Sequence, residues 1–261
     1  MRLRESAVLV TGASAGIGRS AAVAFAAAGS EVIVHGRDAA RTRTTAAEVG
    51  GVPVVADLSE PDGPTVLADQ ALAVQGHIDI LVNNAGYGWS GAFADMPPGD
   101  IAGLIATDLT ASIRLTRALL GPMLARGRGR ICFVSSVAGQ TAVAGEAVYS
   151  AAKAGVGAFA DSLRLELAES GVGVTVVVPA AVATGFFERR GRPYDRRTPQ
   201  PVSPDDVARA IIAAVEHDRP EVWLPRWVRA APVVRALAPN LYRRLSARFG
   251  EQIRANPRSG Q

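Results

Sequence analysis

A short apolar run, Ala7 to Thr11 (AVLVT), breaks into Gly12-Ala13-Ser14-Ala15-Gly16-Ile17-Gly18. An alanine-rich, helix-like segment follows from Arg19 to Ala28 and is closed by Gly29. Strand, glycine turn and helix in that order leave few folds open to the chain. Glycines let a backbone approach a bound group closely, and a helix N-terminus behind them supplies free N–H donors and partial positive charge. This is the context that a dinucleotide-binding turn requires. The spacing is G-x-x-x-G-x-G, not G-x-G-x-x-G, so the context carries more weight than the turn itself.

The alternation continues down the chain. Strands are expected at Glu31–Val34, Val52–Val55, Ile78–Val82, 130–135, 173–178 and Glu221–Leu224, with Pro179 stopping the sixth. Helical patterns fall between them at 64–76, roughly 100–125, a Tyr/Lys segment running to about 169, and Asp205–Glu216 capped by Ser203 or Asp205. Residues 185–203 have no clear period and read as a loop. Strict strand–helix alternation predicts an α/β fold with a parallel sheet and helices on both faces. The chain's 261 residues, 48% of them hydrophobic, suit one such domain without linker or repeat. No signal peptide or membrane span is expected. The one cysteine, Cys132, falls within a strand pattern, which fits a buried, inert thiol and a cytoplasmic setting. His35, His77 and His217 are scattered, so no metal site is expected. Residues 219–261 hold nine arginines against two glutamates, so the net charge of +4 reports a basic tail and not a nucleic-acid-binding domain.

Tyr149 and Lys153 are four residues apart in an alanine-rich run, and on a helix they share a face. Lys153 is the only lysine in the sequence; every other basic side chain is arginine. An ammonium beside a phenol is expected to favour the phenolate, bringing the tyrosine below its ordinary value of about 10. Ser136, upstream, would carry a hydroxyl at a strand tip. After the second strand comes Gly36-Arg37, with Arg41 and Arg43 close behind, where NAD-binding enzymes of this architecture usually have an acidic residue. A guanidinium suits a 2′-phosphate, so NADP(H) is expected over NAD(H).

Together these residues resemble the short-chain dehydrogenase/reductase family over roughly residues 5–225. The resemblance is carried by Thr11-Gly12-x-x-x-Gly16-Ile17-Gly18, Asn83-Asn84-Ala85-Gly86, Ser136, Tyr149-x-x-x-Lys153 and Pro179 to Thr184. It implies a Rossmann-type doubly wound sheet of about seven strands over residues 1–225. It also implies an NAD(P)-dependent oxidoreductase interconverting a carbonyl and an alcohol, commonly a homodimer or homotetramer. Gly12, Ser14, Gly16, Ile17 and Gly18 match positions lining pyrophosphate and adenosine, Asp57 and Leu58 the adenine contact, and Asn84, Ala85 and Gly86 the ribose and nicotinamide side. Pro179, Val182 and Thr184 match the segment holding the carboxamide. By the same resemblance, Ser136 would bind the substrate oxygen and Tyr149 would exchange its proton. Lys153 would hold the nicotinamide ribose and tune Tyr149.

The chain departs from the family's pattern twice. Asp108 stands where the family usually has an asparagine that helps hold a water in the proton relay, and a carboxylate accepts hydrogen bonds but does not donate them unless protonated. Ala180 stands where glycine usually follows the proline, and it is expected to be harmless unless that backbone needs positive φ. A catalytically silent nucleotide sensor or scaffold on the same fold is the alternative. Trp89, Val143, Phe186 and Phe187 suggest an apolar substrate end, though each could be local core. Arg189, Arg190, Arg192, Arg196 and Arg197 are expected on a solvated loop, with attraction of an anionic substrate the second reading. In residues 226–261, Leu241, Leu245, Phe249 and Ile253 recur at helical spacing among arginines. Such a basic amphipathic helix is expected to pack on protein, with peripheral contact to an anionic membrane as the other possibility.

Overall fold

The computed structural model describes residues 1–195 and 198–249. Arg196, Arg197 and Ile253, named above, lie outside them. The elements run β1 (Ala7–Val10), α1 (Gly16–Ala27), β2 (Glu31–Gly36), α2 (Ala39–Val49), β3 (Val52–Val55), α3 (Gly63–Gln75) and β4 (Ile80–Asn83). A short 3₁₀ turn, Phe93–Asp95, precedes α4 (Pro98–Ile105), a π turn (Ala106–Thr110) and α5 (Ala111–Ala125). Then come β5 (Gly129–Val134), α6 (Val137–Thr141), α7 (Ala147–Glu166), β6 (Val172–Pro179), α8 (Phe186–Arg189), α9 (Pro204–Glu216) and β7 (Glu221–Leu224). The chain continues through a 3₁₀ turn (Arg226–Arg229) into α10 (Ala230–Leu237) and α11 (Pro239–Phe249).

All seven strands pair in parallel in the order β3-β2-β1-β4-β5-β6-β7. The alternation of side chains along each strand divides the core into two layers. Leu9, Ile33, Leu81, Ile131 and Phe133 face a layer completed by Leu67 of α3, Leu115 and Leu119 of α5, and Val156 of α7. Val8, Val10, Val32, Val34, Val82 and Cys132 face Phe25 of α1 and Val207 and Ile211 of α9 on the other side. The connections reverse direction between β1 and β4, which opens a crevice beyond the carboxyl ends of the strands.

The sixth strand ends at Pro179, as expected, with the proline itself as the last paired residue, opposite Leu224. Other expectations need correction. The helix expected over 100–125 is interrupted by the π turn at 106–110. A separate short helix, α6, starts directly after Ser136. The loop over 185–203 contains α8, and Val182 bridges to Val202. Ala180 is not among the residues with positive φ, so its Cβ causes no backbone strain. Ser203 is the α9 cap and accepts the Asp206 N–H at 3.0 Å.

The chain beyond β7 folds back on α6. Arg235 of α10 donates to the Gln140 carbonyl at 2.8 Å, and the Tyr242 hydroxyl of α11 donates to the Thr141 carbonyl at 2.7 Å. Leu241, the first residue of the expected apolar stripe, points outward and is exposed. Among the described residues no helix is long and apolar enough to cross a membrane.

Candidate active site

At the tips of β1, β2 and β4 the backbone is tied into a cradle. Thr11 Oγ1 accepts the N–H groups of Asn84 and Ala85, each at 2.9 Å, and donates to the Val82 carbonyl. Asn84 Nδ2 donates to the Thr11 carbonyl at 2.9 Å. Gly12 and Gly16 have φ of +65° and +53°, a region that L side chains enter only with strain. Gly18 lies behind the cradle, not on its surface. A Cβ there would run into the Gly12 carbonyl oxygen and Asn84 Nδ2. Its part in this structure is close packing of α1 against the cradle. Ala15, the residue before α1, provides no side-chain cap, so the first N–H groups of that helix are open to an anion.

His35 holds this cradle from below, a role its sequence position did not suggest. Its Nδ1 faces the Gly12 N–H at 3.4 Å and its Nε2 faces the Ala56 carbonyl at 3.1 Å. A neutral ring with the proton on Nε2 satisfies both contacts. Burial pulls its pKa down to about 4, against smaller opposing effects of the Ala56 carbonyl and Asp57. One ring therefore joins the ends of β1, β2 and β3.

A cavity of about 790 Å³ runs from this cradle across the strand tips. Gly12, Ser14, Gly16, Ile17, Arg37, Asp57, Leu58, Asn84, Ala85, Gly86, Pro179, Val182 and Thr184 all line it, as do Ser136, Tyr149, Lys153 and Asp108. At one end Arg37 and Arg41 face the cavity. The neighbouring carboxylate of Asp38 is occupied as the α2 cap, accepting the Arg41 N–H at 3.0 Å. Asp57 is turned onto its own loop, accepting Ser59 Oγ at 2.7 Å and Ser59 N–H at 2.9 Å. Those two hydrogen bonds hold its carboxyl below the usual range. The glycines without room for a Cβ and the uncapped α1 N-terminus fit the pyrophosphate of a dinucleotide.

At the other end sit Ser136, Tyr149 and Lys153. Ser136 ends the strand-to-helix turn as the α6 cap, accepting the Ala138 N–H at 3.2 Å. Tyr149 and Lys153 stand one turn apart on α7 and are 8% and 5% exposed. Lys153 Nζ lies 5.7 Å from the tyrosine ring centre and donates to the Val134 carbonyl at 3.3 Å. Its remaining short contact is Asp108 Oδ2, also at 3.3 Å. Asp108 is presented by the π turn and is fully buried, its Oδ1 accepting the Tyr87 N–H at 2.9 Å. Burial raises its pKa, while Lys153 and the Tyr87 N–H oppose that rise.

The expectation that Lys153 brings Tyr149 down is therefore corrected. Burial, and after it the Asp108 charge, push the Tyr149 hydroxyl above its ordinary range, with a Ser136 hydrogen bond acting the other way. The lysine is legible in the sequence; the carboxylate folded against it is not. Cys132, by contrast, meets its expectation: it is buried in β5, and desolvation pushes its thiol up to about 12.

Val143, Phe186 and Phe187 line the cavity at its Tyr149 end. The Phe186 ring centre lies 5.5 Å from that of Tyr149, tilted, and 5.6 Å from that of Phe187, edge to face. Trp89 lines a separate cavity of about 290 Å³ that shares Tyr149 as a wall. Arg190 departs from the solvated-loop reading. It is buried, paired with the equally buried Glu146 at the head of α7, and its guanidinium lies 4.7 Å from the Phe187 ring centre. Arg189 also faces the cavity.

The family described as short chain dehydrogenase matches residues 6–195. Dehydrogenase/reductase SDR family member 7B of Bos taurus is 32% identical over 276 residues, covering 98% of this chain and 85% of its own length. A short-chain dehydrogenase from Sphingobium yanoikuyae, solved in complex with NADPH, is 31% identical with a TM-score of 0.79, covering 97% of this chain and 99% of that one. A short chain dehydrogenase/reductase from Burkholderia phymatum, solved in complex with NAD, shares the fold at a TM-score of 0.84 and 23% identity, over 92% and 96% of the two chains. With the motif residues gathered on one cavity of a seven-stranded parallel sheet, the chain belongs to the short-chain dehydrogenase family of oxidoreductases.

Proposed function

We propose that this protein is an NADP(H)-dependent carbonyl reductase whose substrate is a small, largely apolar ketone or the corresponding secondary alcohol. The observation that carries the reading is the convergence of Ser136, Tyr149 and Lys153 on the cavity that also holds the glycine cradle. A nicotinamide dinucleotide held there supplies hydride; the chain supplies position, a proton and a field. Gly12, Ser14, Gly16 and Ile17 would hold the pyrophosphate with the α1 N-terminus, and Arg37 the 2′-phosphate. Asp57 and Leu58 would border the adenine. Asn84, Ala85, Gly86, Pro179, Val182 and Thr184 would flank the ribose and carboxamide.

Ser136 Oγ donates a hydrogen bond to the carbonyl oxygen, and Tyr149 Oη delivers the proton to that same oxygen. Such general acid catalysis contributes about 10²–10⁴-fold. Lys153 has three N–H donors. One faces the Val134 carbonyl and one faces Asp108, which leaves one for the ribose hydroxyls. Asp108 acts through Lys153 and is a positioning residue in this scheme. The relatives' bound nicotinamide nucleotides support the cofactor class, and Arg37 with Arg41 supports the phosphorylated form. Val143, Phe186 and Phe187 support an apolar substrate.

NADPH consumption, followed by nicotinamide absorbance across a panel of ketones and aldehydes, tests this. Turnover with an apolar ketone is expected. Tight NADPH binding without turnover on any carbonyl would favour a silent nucleotide-sensing protein instead.

A further inference from the structure

The surroundings of Asp108 are shaped for a charge pair. The Asp108 side chain is fully buried and that of Lys153 is 6% exposed. A Cβ on residue 86 would sit 2.6 Å from Asp108 Oδ2, so Gly86 leaves the room that the carboxylate occupies. Oδ1 takes a backbone N–H, and Oδ2, with no aligned hydrogen bond, faces the ammonium. Breaking such a pair by removing one partner leaves an uncompensated buried charge.

An isolated ammonium 5.7 Å from the tyrosine ring would favour phenolate. A carboxylate 3.3 Å from that ammonium offsets its field at the phenol. The other charged or titratable groups around the cavity do not restore the field. Tyr87 comes from the segment after β4 and Asp100 from α4, and both line the same wall. Glu146 and Arg190 are closed on each other. Arg189 faces the cavity from α8, and Arg37 and Asp57 stand at its adenosine end.

We propose that Asp108 neutralises Lys153 and thereby keeps Tyr149 a protonated phenol, able to donate, throughout the neutral pH range. This rests on the function proposed above. In reduction the Tyr149 O–H bond breaks and its proton forms the new O–H bond on the carbonyl oxygen. The carbon takes hydride, with both electrons, from reduced nicotinamide, which is thereby oxidised. Oxidation is the same step run backwards, with the alcohol's proton returning to Tyr149 in the phenolate form, so the charge state of Tyr149 sets the pH dependence of both directions.

Ultraviolet difference titration of the full-length protein tests this without any substrate. The phenolate signal of wild type minus Tyr149→Phe isolates the one hydroxyl. No ionisation of Tyr149 is expected between about pH 6 and about pH 10. In Asp108→Asn, which keeps the shape and removes the charge, ionisation is expected at least about one pH unit lower than in wild type. Tyr149 titrating inside that window in wild type would overturn the proposal, as would a folded Asp108→Asn protein titrating like wild type. If Asp108→Asn does not fold, Asp108→Ser is titrated in its place and read against the same two outcomes. Absence of turnover on every carbonyl would count against the proposed function alone, because the titration reads the charge state directly.

Discussion

The two ends of the cavity are built from different materials. The cradle at β1, β2 and β4 is backbone: glycines that admit no Cβ, an uncapped helix end, and Thr11, Asn84 and His35 binding main-chain groups. The far end is side chain, with Lys153 against Asp108, Arg190 against Glu146, and Tyr149 between them and Phe186. A backbone site tolerates chemical change at its surface and fails when its geometry is filled. A site of buried charges tolerates little change at any of its charged groups, because each partner left alone is strongly disfavoured.

The sharpest way to break that contrast is Arg190→Ala. It leaves Glu146 buried without its guanidinium, and a loss of about 3–5 kcal/mol in unfolding free energy is expected in denaturant titration. A loss within error would mean that the pair is not part of the frame. Ser136→Ala comes next: turnover should fall about 10²–10³-fold, the effect of removing one donor to a developing oxyanion. NADPH affinity should stay unchanged in fluorescence titration, since Ser136 belongs to the far end. A parallel loss of affinity would merge the two ends.

His35 probes the cradle by pH. Its native pKa of about 4 lies below the unfolded value of 6.5, so the unfolded chain takes up the proton first as pH falls. The stability due to the neutral ring is present above about pH 6.5 and drains away toward about pH 4, by roughly 3 kcal/mol in all. Melts of wild type and His35→Asn over that range should show a shallower pH slope in the variant. Arg37→Ala is the smallest and the most selective. NADPH binding should weaken by about tenfold or more, consistent with loss of charge-assisted contacts to one phosphate, while NADH binding barely moves. Equal weakening of both would remove the argument for a 2′-phosphate.

Legibility in the sequence followed the same division. Strand–helix alternation and the glycine turn are local patterns, and they led to the seven strands and to the first glycines of the cradle, while Asn84 and Ala85 came only with the family resemblance and His35 not at all. That histidine sits in a strand like any apolar neighbour, and only the packing of three strand tips gives its ring two partners. Tyr149 and Lys153 were readable because one helical turn joins them. Asp108 was readable as a departure from the family's pattern but not as an ion pair, because 45 residues and a π turn separate it from Lys153. Arg190 looked like one of several loop arginines, and its burial depends on α8 folding under the head of α7. Gly18 matched a family position whose service here is to packing.

The central claim, that Tyr149 delivers the proton in a nicotinamide-driven carbonyl reduction, is tested most directly by single-turnover mixing of NADPH-loaded protein with a responsive ketone. Wild type should oxidise its cofactor in the presence of ketone, and Tyr149→Phe should do so about 10²–10⁴ times more slowly with NADPH still bound. A Tyr149→Phe protein that reduces the ketone at the wild-type rate would contradict the account.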